Sequence, residues 1–212
     1  MKILCVHQGY ELYGSDKTFI QSVKSFRTQY PDAFIHVLLP QKGAITEYLE
    51  PYASKIDYKY LWILRKTTVK SLLGKGGGKL IRDIYSAWRL MKDYDFTYIN
   101  TAVVLNFIIA SFFSGSSRVV HIHEIPTGFA RFVFSSLLIW SRSPIVYNSN
   151  ATMRSYLLPP WQSEEVIPNG VAKPDLNIYQ LVNNSDTFNI LMIGRLNDWK
   201  GQDMVIKALH GI

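Results

Sequence analysis

The sequence predicts an α/β protein with a doubly wound parallel sheet, and two observations support this fold class. Short apolar runs rich in β-forming residues alternate with longer stretches of helical periodicity, which is typical of repeated strand–helix–strand units. Several of the short runs are apolar on both faces, as strands buried between two layers of helices must be. The predicted strands are Lys2–His7, Phe34–Leu39, Phe96–Asn100, Arg118–His123, Pro144–Asn148 and Phe188–Ile193, with Tyr58–Leu64 as a weaker candidate.

The intervening stretches predict helices. Ser15–Arg27 and Lys79–Lys92 each place apolar residues along one helical stripe and cations off it. Ala102–Phe113 and Phe129–Trp140 are more apolar, but polar residues interrupt both, and neither reaches the ~18 apolar residues of a membrane span. We therefore expect these two stretches to be buried helices of a soluble fold.

The sequence indicates a long first domain and the start of a second. Residues 1–170 predict a Rossmann-like domain, and the aperiodic stretch 171–187 predicts a linker. Residues 188–212 predict one strand, one polar loop and one helix. Because a single strand–helix unit cannot bury both faces of its strand, we expect the chain to be truncated before most of the second domain.

Composition and charge exclude several classes of protein. The 212 residues are 48% hydrophobic and 18% charged, which excludes a disordered tail, a collagen-like fibre and a coiled coil. The single cysteine, Cys5, cannot form an internal disulfide, and the apolar stretch at the N-terminus is too short for a secretory signal, so we expect a cytoplasmic protein. Residues 1–170 hold 19 Lys and Arg against 12 Asp and Glu, which predicts an anionic partner there.

The loop Gly194–Gly201 is a candidate anion site. It lies between a predicted strand and a predicted helix, where open parallel sheets bind ligands. Arg195 offers a planar fork for phosphate oxygens and Lys200 a point charge, while the flanking glycines allow a ligand to approach closely. The alternative is a pair of solvated charges in an ordinary surface loop.

His121, His123 and Glu124 end a predicted buried strand, with the two imidazoles on one face of it beside a carboxylate. Three interpretations stay open: a metal site, a catalytic or sugar-binding group, and core histidines that satisfy backbone groups. A metal site needs further ligands, and the other histidines show no paired spacing, so no metal is expected. The position at the carboxyl end of a strand favours a functional group over a structural one.

Two other glycine-containing segments lack a complete nucleotide-binding fingerprint. The loop Tyr10–Asp16 places Gly14 where a ligand can approach the backbone, but it lacks the glycine triplet of nicotinamide and flavin domains. Gly74–Lys79 lacks the Ser or Thr that follows the lysine of a phosphate-binding loop. We therefore expect no cofactor.

A run of cations without acids occupies residues 65–82. Such a run is usually a solvated face, and the functional alternative is a patch for acidic lipid head groups or a pyrophosphate-bearing substrate. No nucleic-acid reader motif accompanies the charge, so nucleic acid is not expected as a partner. The cations are Arg65, Lys66, Lys70, Lys75, Lys79 and Arg82.

Taken in order, several segments resemble the retaining GT-B glycosyltransferases of the large group-1, family-four type. The specific part is the order and spacing of Val166–Val171 (VIPNGV) and Ile193–Gly201 (IGRLNDWKG). The resemblance extends over nearly the whole chain. Its other segments are the opening strand from Met1, the Gly14 loop, Asp95–Thr101 (DFTYINT), His121–Pro126 (HIHEIP) and Asn148–Thr152 (NSNAT).

The resemblance implies a two-domain enzyme that binds a nucleotide-diphosphate sugar between Rossmann-like halves. Arg195 and Lys200 would bind the donor diphosphate, with Gly14 behind it, and His123 and Glu124 would be catalytic. The residues implied to bind the acceptor or line the cleft are Asn100, Thr101, Ser149 and Asn169.

The chain also departs from the family pattern. Gly14-Ser15-Asp16-Lys17 stands where the family has Gly-Gly-x-Glu, and the later Glu-x₇-Glu segment that holds the donor's sugar and ribose does not occur in these 212 residues. We therefore expect the isolated chain to be catalytically inactive.

The expected function is transfer of a sugar, with retention of configuration, from a nucleotide sugar to a polysaccharide or lipid-linked acceptor. The enzyme would be cytoplasmic and peripheral on the inner face of an anionic membrane. The alternative is a non-enzymatic module that binds anionic lipid or nucleic acid. Such a module would have no use for the loop Gly194–Gly201.

Overall fold

The computed structural model describes residues 1–64, 76–170, 189–194, 196 and 200–210. The chain forms two compact units, Met1–Val171 and Ala172–Ile212. The described part of the second unit contains a helix at Gln202–Leu209, preceded by Gly201 with a φ of +73°. The strand predicted at Phe188–Ile193 is not formed in residues 189–193. A strand is stable only when a neighbour pairs with it, and no ladder to this segment exists among the described residues.

The first unit is built on a parallel sheet that has seven strands within the described residues. Their order across the sheet is β3-β2-β1-β4-β5-β6-β7, and every pair is parallel. This arrangement confirms the predicted fold class. The strands are β1 (Lys2–His7), β2 (Phe34–Leu39), β3 (Lys55–Tyr58), β4 (Phe96–Asn100), β5 (Ser117–Ile122), β6 (Ile145–Tyr147) and β7 (Glu164–Val166).

Helices cover both faces of this sheet. One face is packed against α1 (Gly14–Gln29) and α2 (Ile45–Leu49). The other face is packed against α3 (Gly76–Lys92), α4 (Leu105–Phe113) and α5 (Phe129–Ser141). A short helix, α6 (Asn150–Arg154), follows β6, and the helix of the second unit is α7.

Strand β1 shows how the sequence builds these two layers. Ile3 and Cys5 pack with the α1 and α2 layer, whereas Leu4 and Val6 pack with the other layer. All four side chains are fully buried, because β1 is central and both of its faces are covered.

The sheet reverses its winding between β1 and β4, which are neighbours at its centre. Chains that leave these two strands turn in opposite directions, and this leaves a crevice at the carboxyl ends of the strands. His7 ends β1, Asn100 ends β4, and the two residues are register partners. The strand order therefore brings two polar residues together that are 93 positions apart in the sequence.

The segment predicted as a strand at Tyr58–Leu64 takes a different course. β3 lies earlier, at Lys55–Tyr58, and the chain beyond it leaves the sheet. Ile63 instead forms an antiparallel bridge with Val104, and Leu105 donates a backbone hydrogen bond to Trp62. Because this segment pairs with the turn that begins α4, Leu61 and Trp62 are buried and Ile63 is half-buried although none of them belongs to the sheet.

Helices α4 and α5 form where the apolar stretches predict them, but α5 is only partly buried. Phe129, Phe132 and Trp140 are 81%, 60% and 47% exposed. A helix on the outside of a sheet buries one stripe, so the expectation of a buried helix is wrong for the outer face of α5. None of the described helices is both long enough and apolar enough to cross a membrane.

Candidate functional site

Polar side chains at the ends of β1, β4 and β5 form one connected group, called here the strand-end network. Five of its members are at most 7% exposed, and His123 is half-buried. Buried polar groups require hydrogen-bond partners, and these residues supply them to one another. The members of the network are His7, Asp16, Tyr98, Asn100, His121 and His123.

One end of the network is a buried His7–Asp16 pair. His7 Nε2 lies 2.7 Å from Asp16 Oδ1, and the imidazole stacks on Phe19 with ring centroids 4.5 Å apart. The other oxygen of Asp16 accepts a hydrogen bond from the backbone N–H of Tyr13, 2.8 Å away, at the start of α1. Asp16 therefore joins the end of β1 to the first turn of α1.

The side-chain amide of Asn100 connects this pair to His123. Its Nδ2 donates to His7 Nδ1 at 2.9 Å, so the single ring proton of His7 lies on Nε2 and is donated to Asp16. Its Oδ1 lies 2.9 Å from His123 Nε2 and can only accept. The proton of His123 therefore lies on Nε2, and Nδ1 carries a lone pair.

Tyr98 links His121 to the same amide oxygen. The Tyr98 hydroxyl donates its only proton to Asn100 Oδ1 at 2.9 Å, so towards His121 Nδ1, 2.7 Å away, it accepts. His121 is therefore protonated on Nδ1 and carries its lone pair on Nε2. Burial raises the pKa of the Tyr98 hydroxyl well above its usual range, which keeps this donor protonated.

His121, near the end of β5, and His123, just after that strand, each have one buried nitrogen that accepts and has no partner among the described residues. These atoms are His121 Nε2 and His123 Nδ1, and the two ring centroids lie 4.3 Å apart. Burial lowers the pKa of His121 to about 4. Burial lowers the pKa of His123 to about 3, with smaller contributions from His121 and His7. Both rings are therefore neutral at physiological pH and suited to accept hydrogen bonds from hydroxyl groups.

Glu124 is held by donors beside the network. Its Oε1 accepts hydrogen bonds from the Thr101 hydroxyl and, at 3.3 Å, from Gln8 Nε2, and its Oε2 accepts one from the His123 backbone N–H. Thr101 directly follows β4 and has a φ of +138°, which is strained for a β-branched residue. Its hydroxyl also accepts from Val103 N–H at 3.2 Å, so local bonds stabilise the strained turn.

The other predicted residues of the first unit lie outside this network. Gly14 is the first residue of α1, and the space around its Cα is open. The Ser149 hydroxyl caps α6, where it accepts from Thr152 N–H at 3.1 Å. Asn169 is exposed beyond β7. Lys79 and Arg82 lie on α3, while the cations predicted at residues 65–75 fall outside the described residues.

The predicted phosphate-binding loop is described only in part. Lys200 is exposed just before α7, and its side chain lies against Gly194, with Lys200 Cδ 3.8 Å from the position of a Cβ at that glycine. Arg195 falls outside the described residues. Among the residues that the structure describes, no group of three or more His, Cys, Asp or Glu side chains is arranged to hold a metal ion.

Sequence reasoning missed His7, Asp16 and Tyr98. The spacing of the histidines along the chain gives His7 no partner, because its partners are an acid on α1 and an amide on β4. One signal was present. The predicted strands Lys2–His7 and Phe96–Asn100 both end in a polar residue after an apolar run, and strand ends next to a reversal of winding meet at one edge.

Three comparisons test the likeness to known proteins. No protein-family model matches the sequence, and no curated protein matches it. Solved structures do match. HepE (Alr3699) from Anabaena, in complex with UDP, shares 23% identity over 81% of this chain and 44% of its own length, with a TM-score of 0.59. MurG from Acinetobacter baumannii shares 15% identity over 81% of this chain and 47% of its own, with a TM-score of 0.52.

A glycosyltransferase from Rickettsia africae matches 80% of this chain and 43% of its own length, with 13% identity and a TM-score of 0.56. These neighbours are GT-B glycosyltransferases. The chain has the fold of a Rossmann-like half of such enzymes. It spans less than half the length of each of them, and at these identities the likeness shows the fold. The predicted resemblance to the GT-B fold is thus confirmed, and the retaining subtype stays a prediction.

The close approach at Gly9 gives a first test of the strand-end network. A Cβ at Gly9 would lie 1.9 Å from Asp16 Oδ1 and 2.7 Å from His7 Nε2. We expect Gly9→Ala to separate this buried pair and to lower the free energy of unfolding by about 1–3 kcal/mol, as measured by urea denaturation. Gly115→Ala, where a Cβ meets open space, is the matched control and should change stability by less than about 0.5 kcal/mol. Equal effects of the two substitutions would contradict the account.

The pKa values of His121 and His123 predict how stability depends on pH. In the unfolded chain both rings bind protons near pH 6.5, whereas in the folded protein they stay neutral down to about 4 and 3. Their contribution to stability is therefore complete above pH 6.5 and is lost as the pH falls below it.

When the pH falls from about 7.5 to 5, each ring should lower the free energy of unfolding by about 1–2 kcal/mol. Denaturation of the wild-type protein and of His121→Gln and His123→Gln at both pH values measures this loss. Each variant should lose less stability on acidification than the wild type does. A loss of the same size in all three proteins would show that the rings are protonated in the folded state.

Proposed function

We propose that this chain is part of a glycosyltransferase that moves a sugar from a nucleotide-diphosphate sugar to an acceptor with retention of anomeric configuration. The observation that carries the proposal is His123. Asn100 fixes its Nε2–H, so a buried lone pair on Nδ1, without a partner among the described residues, lies at the switch point of a GT-B-type sheet. A sugar is rich in hydroxyl donors, and a neutral imidazole that only accepts matches that chemistry. The motif order that resembles family-four enzymes supports the same function.

In this proposal the strand-end network positions the groups that meet the sugar. His123 and His121 accept hydrogen bonds from hydroxyl groups of the transferred sugar. Asn100 fixes the tautomer of the His123 imidazole. Glu124 holds Thr101 and the turn after β5. Thr101, Ser149 and Asn169 line the acceptor side.

The proposed donor is a UDP-sugar, because the Anabaena neighbour is described in complex with UDP and with UDP-glucose. Arg195 and Lys200 bind the diphosphate, and their positive charges stabilise the nucleoside diphosphate as it leaves. Gly14, with open space around it at the start of α1, lets the donor approach that helix. The proposed reaction uses neither a metal nor an organic cofactor.

Substitution of Lys200 tests the donor site. In the complete protein expressed from its natural reading frame, we expect Lys200→Ala to weaken UDP-glucose binding by about 10- to 150-fold in calorimetric titrations, the scale of a hydrogen bond to a charged group. Lys207→Ala is the control, since Lys207 lies on α7 with its ammonium 3.2 Å from Asp203. UDP-glucose affinities within about twofold for wild type and Lys200→Ala would contradict the proposal.

We further propose that the first unit adsorbs to an anionic membrane, which would deliver a lipid-linked acceptor at the cytoplasmic face. The supporting feature is the aromatic face, two groups of rings on α3 and at the C-terminal ends of α4 and α5. The indole N–H of Trp88 joins the groups by donating to the Phe113 carbonyl at 2.9 Å. The rings within each group lie in contact, with centroids 5.5 Å apart for Tyr85 and Trp88 and 4.4 Å apart for Phe112 and Trp140. The aromatic face consists of Tyr85, Trp88, Phe112, Phe113 and Trp140.

Cations border the aromatic face. Lys92 Nζ lies 4.7 Å from the centroid of Trp88, and the Arg142 guanidinium lies 5.2 Å from that of Phe112. Arg89 is exposed on the same side of α3 as Lys92. Aromatic rings flanked by Lys and Arg are typical of surfaces that lie in the headgroup region of a bilayer.

Vesicle binding tests this surface. At low salt, Arg89→Gln/Lys92→Gln should reduce partitioning onto vesicles with anionic lipid about 30-fold, since each cation contributes about 1 kcal/mol. Lys17→Gln/Lys24→Gln removes the same charge from exposed positions of α1, on the other face of the sheet, and should reduce partitioning much less. If the two double variants lose binding equally, only net charge matters and the aromatic face is not the contact surface.

A further inference from the structure

The middle of the strand-end network consists of groups whose hydrogen bonds can run in either of two directions. A neutral imidazole exchanges its N–H and its lone pair when it changes tautomer, and a side-chain amide exchanges its oxygen and its NH₂ when it flips. His7, Asn100 and His123 are joined in this order by bonds of 2.9 Å, so reversing one bond reverses the other. These bonds by themselves do not decide which nitrogen of His123 carries the proton.

The reversed arrangement would satisfy the middle of the network equally well. His7 would donate from Nδ1 to the oxygen of Asn100, and the NH₂ of Asn100 would donate to His123 Nε2 and to the Tyr98 hydroxyl. His123 would then be protonated on Nδ1, and Tyr98 would donate to His121 Nδ1. Each bond would form again with donor and acceptor exchanged. The two arrangements therefore differ in energy at the ends of the network.

Asp16 is an end that cannot be reversed. Its Oδ2 accepts from the backbone N–H of Tyr13 at 2.8 Å, and its Oδ1 lies 2.7 Å from His7 Nε2. A carboxylate oxygen only accepts, so His7 must carry its proton on Nε2. In the reversed arrangement a lone pair of His7 would face a buried anion with no proton between them, which is strongly unfavourable.

The backbone carbonyl of Ser15 favours the same direction, but more weakly. Asn100 Nδ2 lies 3.4 Å from this oxygen, which only accepts, so the amide nitrogen belongs on that side. This contact is longer than an ordinary N–H···O hydrogen bond, whereas the contact of 2.7 Å between His7 and Asp16 is that of a charge-assisted bond. Asp16 is therefore the stronger of the two anchors.

Asp16 exerts this effect from a place that a substrate does not reach. It is 3% exposed, and a Cβ at Gly9 would lie 1.9 Å from its Oδ1, so the backbone at Gly9 covers the bond to His7. Two residues, His7 and Asn100, stand between Asp16 and His123. Any influence of Asp16 on His123 must pass through both of them.

We propose that Asp16 is a positioning residue that fixes the tautomer of His123 through His7 and Asn100. It determines that the buried Nδ1 of His123 carries a lone pair and not a proton, so that this nitrogen accepts a hydrogen bond and cannot donate one. The inference rests on the proposed function, in which this lone pair meets a hydroxyl group of the transferred sugar. The first turn of α1 thereby controls a sugar contact that it does not make itself.

The spectrum of the wild-type protein gives the first test. Histidines of the complete protein are labelled with nitrogen-15, and long-range proton–nitrogen NMR spectra at about pH 7.5 identify the tautomer of each ring. Each signal is assigned by its loss in the corresponding His→Gln variant. His7 and His123 should be protonated on Nε2, and His121 on Nδ1. A wild-type His123 that is protonated on Nδ1 would overturn the proposal.

Asp16→Asn tests whether the carboxylate sets the direction. The new side chain has one oxygen, and the backbone N–H of Tyr13 needs it, because that group can only donate. The NH₂ group then faces His7 Nε2, so the bonds along the network should reverse together. The ratio of the Nδ1–H to the Nε2–H tautomer of His123 should rise about 10- to 150-fold, the scale of a hydrogen bond to a charged group. A His123 ring that stays in the Nε2–H form in the folded variant would show that Asp16 does not control it.

Val23→Ala is the matched control on the same helix. Val23 is fully buried and packs in the apolar layer of α1 and α2, so the substitution loosens α1 without touching the network. It should leave all three rings in their wild-type tautomers, and thermal denaturation confirms that both variants are folded. If Val23→Ala reverses the tautomers as Asp16→Asn does, they follow the packing of α1, and the proposal is wrong.

Turnover of UDP-glucose separates this proposal from the proposed function. Reversed tautomers in Asp16→Asn together with a lower kcat/KM would support both. Reversed tautomers with kcat/KM unchanged would support the role of Asp16 and overturn the contact between His123 and the sugar. Unchanged tautomers with a lower kcat/KM would overturn the role of Asp16 and leave the proposed function intact.

Discussion

The side-chain amide of Asn100 is the contact on which the strand-end site depends. It donates to His7 and accepts from His123 and Tyr98, and it is itself fully buried. Because each neutral imidazole has one proton, the direction of every bond in the network follows from this one amide. The strand order makes the contact possible, since it places β1 beside β4 where the winding reverses. Loss of the amide would leave several buried polar atoms without partners, which costs more than the bonds themselves contribute.

The fold separates three kinds of chemistry in space. The ends of the central strands collect neutral acceptors, whose pKa values are lowered by burial. Lys79 and Arg82 on one flank of α3 line a cationic cavity, and the other flank belongs to the aromatic face. The buried stripe with Ala87 and Met91 lies between these two surfaces of α3. In the proposed enzyme, the donor sugar and the bilayer would thus meet different surfaces of one unit.

Local periodicity in the sequence was enough to predict the sheet, because buried parallel strands are continuous apolar runs. The bounds of β1, β2 and β4 agree with those predicted. Features set by distant parts of the chain were not predictable in this way. β7 contains Glu164 and Glu165 and is a strand only because β6 pairs with it. The His7–Asp16 pair and the strained φ of Thr101 likewise depend on contacts that no local pattern encodes. His123 was predictable from its place at the end of an apolar run, whereas Asn100 was expected only from the family resemblance.

The central claim is that the Asn100 amide positions His123 for sugar transfer, and a double-mutant cycle tests it most directly. The measured quantity is kcat/KM for UDP-glucose turnover in the complete protein, with Asn100→Ala, His123→Ala and both together. If the two residues act as one unit, each single variant loses activity, and the double variant is no slower than the slower single variant. Losses that add in free energy would contradict the account, because they would show that His123 works without the hydrogen bond from its Nε2 to Asn100.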